Sequence, residues 1–98
     1  MTPARRAAVK VLLAVERGQA TLPSAVDRER RHLPDRRDRA LLLELAAGTL
    51  RWRNAVDYAL ADASRRHLDD LAPPVRAILR VAAFQLRHLE RIPDHAVI

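Results

Sequence analysis

The sequence predicts an all-α domain, and three observations support that prediction. Of its 48 apolar residues, 18 are alanine and 15 are leucine, which are strong helix formers. No run alternates β-branched or aromatic residues with polar ones, as a strand would require, and Gly18 and Gly48 are the only glycines. Apolar residues instead recur three and four positions apart. With 98 residues the chain is expected to form one domain, residues 1–98.

The first predicted helix has Thr2 as its N-cap and Pro3 at its first helical position, and it ends before Gly18. One face of this helix is apolar and contains Ala4, Ala8, Val11, Leu12 and Val15. Arg6, Lys10 and Arg17 fall on the opposite face, with Arg5 at its flank. The spacing therefore predicts an amphipathic helix with a basic outer ridge.

A short second helix is predicted over residues 24–31, with Ser24 as its cap. After a proline break, a long third helix is expected over residues 36–53. It is apolar on nearly all sides, which indicates a central position with neighbours on both flanks. Gly48 lies in its interior and costs about 1 kcal/mol relative to alanine, so we expect a close helix crossing there.

Asn54 is predicted to cap a fourth helix that ends near residue 65, and Pro73-Pro74 to precede a fifth over residues 75–91. On that fifth helix we expect one buried face, formed by Val75, Ile78, Leu79, Ala82, Leu86 and Leu89. Val81 and Phe84 give it a second apolar side. Asp94 resembles the cap of a further helix, so we expect the helical bundle to continue beyond residue 98.

The positive charge is concentrated in the first half of the chain. Residues 1–53 contain 12 Lys/Arg against 6 Asp/Glu, whereas residues 54–98 contain 6 of each, and the net charge is +6. Seventeen of the 18 basic residues are arginine, whose guanidinium binds phosphate oxygens in a bidentate way. A GC-rich genome would also favour arginine, but it would not produce the asymmetry. The pattern predicts phosphate binding by the first helix and the basic segment 28–39.

The candidate binding residues are Arg5, Arg6, Lys10, Arg17, Arg28, Arg30, Arg31 and Arg36. For each one alone, the alternative is an ordinary solvated helix face. Arg76, Arg80 and Arg87 form a second stripe in a region of zero net charge, and we expect that stripe to pack against a part of the protein beyond this segment. The three aromatic residues, Trp52, Tyr58 and Phe84, fall mostly at core positions of helices, so no platform for base stacking is expected.

The residues for catalysis are missing from the sequence. The chain has no cysteine, which excludes disulfides, thiolate chemistry and zinc knuckles in this segment. No glycine-rich loop follows a strand, the four histidines occur singly, and Asp69-Asp70 is typical of a polar turn. No apolar stretch approaches the roughly 20 residues of a membrane span, and no secretory signal opens the chain. We therefore expect a cytoplasmic segment without catalytic residues, metal or membrane contact.

Four segments carry a family resemblance. Residues 38–53 (DRALLLELAAGTLRWR) and 71–86 (LAPPVRAILRVAAFQL) resemble two helices of the RNA cytosine-C5 methyltransferases of the RsmB (Fmu/Sun) family. Residues 91–98 (RIPDHAVI) are similar to a third segment of that family. Residues 4–12 (ARRAAVKVL) resemble the arginine-led first helix that the family shares with NusB, the antitermination factor. Ala47 and Ala83 depart from the family pattern, which often has an aromatic residue and a glycine there.

The resemblance implies a NusB-like helical bundle of about five helices, truncated near residue 98, that binds RNA. The expected partners are 16S ribosomal RNA, the protein's own downstream catalytic domain and a ribosomal protein, but not DNA. Catalysis in this family uses cysteine and S-adenosylmethionine, so the absence of cysteine places that chemistry and its cofactor beyond residue 98. Arg5 and Arg6 match the arginine-rich start that contacts RNA in NusB. Two alternatives remain open: a protein-interaction module, and a stand-alone NusB-type antitermination factor.

Overall fold

A computed structural model describes residues 1–64 and 67–88. In chain order its helices are α1 (Pro3–Glu16), α2 (Leu22–Arg30), α3 (Arg36–Arg51), α4 (Arg53–Ser64), a short 3₁₀ helix (Leu68–Asp70) and α5 (Pro73–His88). The residues described contain no strand, so the all-α prediction is confirmed, and so is the number of α-helices. The predicted end of the last helix near residue 91 and the expected cap at Asp94 lie outside the described residues.

Helix α1 begins and ends as the sequence predicts. Thr2 is the N-cap, and its hydroxyl accepts a hydrogen bond from the first turn. Gly18 adopts a left-handed conformation with a φ of 69°. Its N–H donates to the carbonyl of Val15 at 3.1 Å, and the N–H of Gln19 donates to the carbonyl of Ala14 at 2.9 Å. These two bonds are the Schellman pattern, which satisfies carbonyls that the helix leaves without partners.

Helix α2 begins two residues earlier than predicted, so the assignment of Ser24 as its cap is wrong. Thr21 is the N-cap, and its hydroxyl accepts from the N–H of Ser24 at 3.3 Å. The physical reason is Pro23, which has no N–H to donate. The first turn needs no such donor, because its N–H groups have no carbonyl partners within the helix. The helix can therefore include Pro23 and begin after Thr21.

The connection from α2 to α3 is closed by side chains. Asp35 caps α3 by accepting the N–H of Arg37 at 2.8 Å. The guanidinium of Arg39 donates to the carbonyls of Leu33 at 2.8 Å and Pro34 at 2.7 Å. Arg39 therefore has a structural role, because it satisfies backbone groups of the loop.

Helix α3 ends at Arg51, and α4 begins at Arg53 with only Trp52 between them. Trp52 has a φ of −100° and a ψ of 18°, outside the α-helical range, which turns the chain sharply. The predicted cap Asn54 is inside α4, so this prediction is wrong. A single non-helical residue suffices to separate the two helices, and the apolar pattern continues across it without a visible break.

Helices α1 and α3 form the centre of the bundle. α1 packs against α2, α3 and α5, while α3 also contacts α2, α4 and α5. The largest fully buried apolar side chains are Val11 of α1, Leu42 and Leu45 of α3, and Val56 of α4. The central position predicted for α3 is therefore confirmed. Among the described residues, no helix is both long enough and apolar enough to cross a membrane.

The close crossing expected at Gly48 is confirmed, and it occurs between α3 and α5. A Cβ atom added to Gly48 would overlap the ring of Phe84, well inside van der Waals contact. Phe84 is buried, so its ring has little room to move away. The missing side chain at Gly48 is what allows this aromatic ring into the core.

The predicted buried face of α5 is wrong for four of its six residues, because the opposite side of the helix faces the core. Ala82 is half-buried, and Leu89 lies outside the described residues. Ala77, Val81 and Phe84 are buried. The exposed side of the helix carries Val75, Ile78, Leu79 and Leu86. Both sides of α5 are apolar, so spacing alone does not determine which one packs inward. The fit of the Phe84 ring over Gly48 selects the side that does.

Candidate nucleic-acid interface

The eight predicted binding residues do not share one surface. Seven of them are exposed, namely Arg6, Lys10, Arg17, Arg28, Arg30, Arg31 and Arg36. Arg5 is buried. Packing further divides the exposed residues among separate positions on α1, α2 and the start of α3.

Lys10, Arg17 and Arg28 line one groove between α1 and α2, here called the basic groove, with a volume of about 260 Å³. Lys10 and Arg17 are seven residues apart, which is two helical turns, so they lie on the same face of α1. α2 packs beside α1 and brings Arg28 to the same groove. Arg6 is one turn before Lys10 and exposed, so it continues the row along α1.

The exposed residues that line the basic groove are mostly cationic, whereas its buried and half-buried ones are mostly apolar. Val11, Leu13, Ala14 and Ala25 contribute the apolar part. Glu29 is the one carboxylate among the described residues that line it. Three cations against one carboxylate leave a net positive groove, which attracts polyanions.

The other exposed arginines lie elsewhere. Arg30 lines a separate groove between α2 and α3, which also contains the exposed side chain of Leu43. Arg31 lies 3.9 Å from Asp27 in a solvent-exposed pair on α2. Arg36 is exposed at the first position of α3. The segment 28–39 therefore contributes Arg28 to the basic groove and points its other arginines in different directions.

Arg5 lies between helices rather than on the outer surface with Arg6. Its Nε donates to the Oε1 atom of Gln85 in α5 at 3.0 Å, in a buried hydrogen bond. Gln85 is itself only 1% exposed. The contact joins α1 to α5 and so helps to fix the orientation of the helix that carries Arg6, Lys10 and Arg17. Gln85 was not predictable as a partner of Arg5 from the sequence, because the two residues are 80 positions apart.

The second arginine stripe is paired within the domain, so the prediction that Arg76 and Arg80 pack against another part of the protein is wrong. Arg76 donates to the carboxylate of Glu16 at 2.5 Å. Arg80 makes a bidentate pair with Asp57 at 2.7 and 2.9 Å. These mostly buried pairs join α5 to α1 and α4. Arg87, the third member of the stripe, is exposed.

Two of the three aromatic residues are on the surface, contrary to the prediction of core positions. Trp52 is 46% exposed and Tyr58 is 78% exposed, whereas Phe84 is buried. The guanidinium carbon of Arg51 lies 5.8 Å from the centre of the Trp52 ring, within cation–π range. Within the described part of the chain, no group of three His, Asp or Glu side chains is arranged to hold a metal ion.

These observations define a class of protein: an all-helical domain with a cationic groove between its first two helices. The model of the NusB family matches residues 2–98, and the chain belongs to that family. No solved structure matches the chain. The resemblance drawn from residues 4–12, 38–53 and 71–86 is thereby confirmed at the level of the family.

The relatives fall into two groups. Ribosomal RNA small subunit methyltransferase B of Pseudomonas putida is 37% identical over 94 residues, which cover 96% of this chain and 21% of that protein. The protein of the same name in Thermus thermophilus is 45% identical over 94% of this chain and 22% of its own length. The transcription antitermination protein NusB of Burkholderia cenocepacia is 34% identical over 65% of this chain and 44% of its own length. The chain spans about a fifth of the methyltransferases.

Proposed function

We propose that this domain binds RNA on behalf of an rRNA methyltransferase, and that the RNA backbone lies in the basic groove. The observation that carries the proposal is the convergence of Lys10, Arg17 and Arg28, from two helices, on one net positive groove. Methyltransferase relatives align with 94–96% of the chain, and their names specify ribosomal RNA of the small subunit. The proposed ligand is therefore 16S rRNA, and the proposed location is the cytoplasm.

The composition of the groove indicates what kind of contact it makes. Exposed lysine and arginine side chains pair with phosphates, and each pair releases counterions from the RNA. The apolar residues that line the groove, Val11, Leu13, Ala14 and Ala25, offer no side-chain hydrogen bonds to base edges, and Gln19 is the one neutral polar side chain among its described lining residues. Phosphate contacts position a nucleic acid without reading its sequence. The groove therefore holds and orients the RNA, while the choice of target base belongs to other parts of the methyltransferase.

The cofactor of the proposed parent enzyme, S-adenosylmethionine, does not fit the residues described here. Binding folds for such cofactors place a glycine-rich loop between a strand and a helix. Gly18 instead forms a helix C-cap, and Gly48 lies beneath Phe84 in the interior of α3. In this proposal, methyl transfer and its catalytic cysteine belong to the remaining four-fifths of the enzyme.

A second candidate function is protein contact through α5. Its exposed side carries the apolar residues Val75, Ile78, Leu79 and Leu86. Such faces mark interaction sites more often than ordinary surface does. The expected partner is the methyltransferase's own catalytic domain, or a ribosomal protein. Replacing Ile78 and Leu79 with glutamate is expected to abolish that contact and to leave RNA affinity unchanged, whereas a loss of RNA affinity would argue against two separate surfaces.

The RNA proposal is tested by charge reversal across the basic groove. The double variant Lys10→Glu/Arg28→Glu places one negative charge on each of α1 and α2. The matched control is Arg37→Glu/Arg87→Glu, which changes two exposed arginines outside the groove. Each substitution removes two units of charge, so both variants have a net charge of +2 instead of +6. Circular dichroism checks that both remain folded.

Dissociation constants for a small-subunit rRNA fragment then separate the two variants. The groove variant is expected to bind at least about tenfold more weakly than the wild type, because two phosphate contacts become repulsive. The control variant is expected to lose less affinity, because only its overall net charge is lower and its groove is unchanged. Equal losses in both variants would show that net charge, rather than the groove, determines binding.

A further inference from the structure

The corner between α3 and α4 presents an aromatic side chain between two arginines. Trp52 is the single residue that separates the two helices, and nearly half of its surface faces solvent. Arg51 and Arg53, on either side of it, are also exposed. Tryptophan is highly buried on average in folded proteins, so this exposed indole between two arginines is a candidate contact point for a ligand.

The geometry at Trp52 suits the stacking of a planar ligand. The guanidinium of Arg51 lies 5.8 Å from the centre of the indole ring, so a planar cation and a large aromatic ring lie next to each other. Unpaired nucleobases stack on both of these groups in RNA-binding proteins.

The charges around the corner favour an anionic ligand. Arg53 lies 3.8 Å from Asp57 and its side chain is 47% exposed, so this pair is weak. Asp57 already has a closer bidentate partner in Arg80. Arg53 can therefore turn to a phosphate while Asp57 remains paired. The ionic network beside the corner contains three arginines and two carboxylates, Arg53, Arg76 and Arg80 with Glu16 and Asp57. Arg51 lies over the Trp52 ring and adds a further positive charge.

Residues at the C-terminal end of α1 line both the basic groove and a cavity that Arg53 also lines. Arg53 lines a cavity of about 220 Å³ together with Glu16, in the last turn of α1. The next residue, Arg17, lines the basic groove. The C-terminal end of α1 therefore connects the basic groove with the cavity at Arg53.

We infer that Arg51, Trp52 and Arg53 form a binding site for an unpaired RNA nucleotide, with its base stacked on the indole of Trp52 and its phosphate paired with Arg53. The inference rests on the proposed function, because the basic groove would hold the same RNA strand. It adds a stacking site for one unpaired base at the α3–α4 corner. A duplex would not use this site, because its bases are already stacked on one another.

Trp52 is the only tryptophan in the chain, so its fluorescence reports on this site alone. The wild-type domain is titrated with a short single-stranded oligoadenylate, with a fully paired RNA duplex, and with inorganic polyphosphate, which has the charge but no bases. The oligoadenylate is expected to quench the fluorescence. Polyphosphate and the duplex are both expected to bind, but with little quenching of the Trp52 fluorescence.

Substitutions give the second readout. Trp52→Leu is expected to weaken oligoadenylate binding about five- to a hundredfold, since one stacked base is lost. Trp52→Phe retains an aromatic ring and is expected to recover part of that affinity. Tyr58→Leu is the matched control. Tyr58, in α4, is the second exposed aromatic side chain in the described part of the chain, but it has Asp57 and Ala59 beside it instead of arginines. This control is expected to bind like the wild type.

The outcomes distinguish this inference from the proposed function. If RNA binds in a salt-dependent way, but fluorescence is unchanged and Trp52→Leu binds normally, the inference is wrong and the proposed groove stands. If no RNA binds in any form, both are wrong. If Trp52→Leu instead abolishes binding of the methyltransferase's catalytic domain without changing RNA affinity, the corner is a protein contact and the inference is overturned.

Discussion

Arg5 and Gln85 form a buried hydrogen bond, with 3.0 Å between Nε and Oε1, that joins the start of α1 to the end of α5. At the opposite ends of the same two helices, Glu16 of α1 pairs with Arg76 of α5. The two helices therefore run antiparallel and are joined by polar contacts near both ends. Because Lys10 and Arg17 are on α1, these contacts also help to determine where the cations of the basic groove lie.

Replacing Arg5 with leucine is expected to lower the free energy of unfolding by about 1–3 kcal/mol, because the buried oxygen of Gln85 loses its donor. Urea denaturation measures the change. Adding Gln85→Leu to this variant removes the unsatisfied group and is expected to restore part of the stability. Arg6→Glu, at an exposed position, is expected to change stability by less than about 0.5 kcal/mol. Full stability of Arg5→Leu would contradict the structural role.

Substitution of Gly48 by alanine tests the crossing of α3 and α5. In an exposed helix this change would stabilise by about 1 kcal/mol, because alanine has the higher helix propensity. Here the new methyl group meets the ring of Phe84, so a net loss of about 1–3 kcal/mol is expected. Phe84→Leu makes room for the methyl group, so Gly48→Ala should cost less in that background. Thermal or urea unfolding of the four variants gives the coupling, and additive effects would contradict the contact.

The close crossing at Gly48 was predictable from the sequence, whereas the buried side of α5 was not. A glycine inside a long apolar helix indicates a close approach, and the structure contains one. The spacing of α5, however, offers two apolar sides, and the side with Val81 and Phe84 is the buried one. Periodicity identifies an amphipathic face only when the other face is polar. The partner of Gly48 was therefore not predictable from local pattern.

The ion pairs of Asp57 and Asp27 are expected to differ in energetic importance. Asp57→Asn leaves the mostly buried guanidinium of Arg80 without its closest carboxylate, so a loss of about 1–3 kcal/mol is expected. Asp27 pairs with Arg31 at 3.9 Å on the exposed surface of α2. Asp27→Asn is therefore expected to cost less than about 0.5 kcal/mol. Equal effects of the two substitutions on the midpoint of urea denaturation would contradict this assignment.

Substitutions at Thr21 and Ser24 test the start of α2. Thr21→Ala removes the oxygen that accepts the N–H of Ser24, and a loss of about 0.5–2 kcal/mol is expected. Ser24→Ala leaves that bond intact and places a better helix former within the first turn, so stability is expected to stay equal or rise slightly. The reverse order in thermal unfolding would restore Ser24 as the cap.

The basic surface was predictable along α1 but not between helices. Seven-residue spacing places Lys10 and Arg17 on one face, and the structure retains that row. Arg28 joins this row only because α2 packs against α1, and the pattern of charges along the sequence does not predict that packing. The pairing of Arg76 with Glu16 similarly connects residues 60 positions apart. Trp52 was assigned to the core because the apolar pattern continues through it, although the chain turns at that residue.

The dependence of RNA affinity on salt tests the central claim most directly. Three phosphate contacts in the basic groove predict that log K for a single-stranded small-subunit rRNA fragment falls with log salt concentration with a slope of about −2 or steeper. Lys10→Glu/Arg28→Glu removes two of these contacts, so the slope should become shallower by about 1.4. A wild-type slope near zero, or equal slopes for the wild type and the variant, would contradict the proposal that this groove holds RNA.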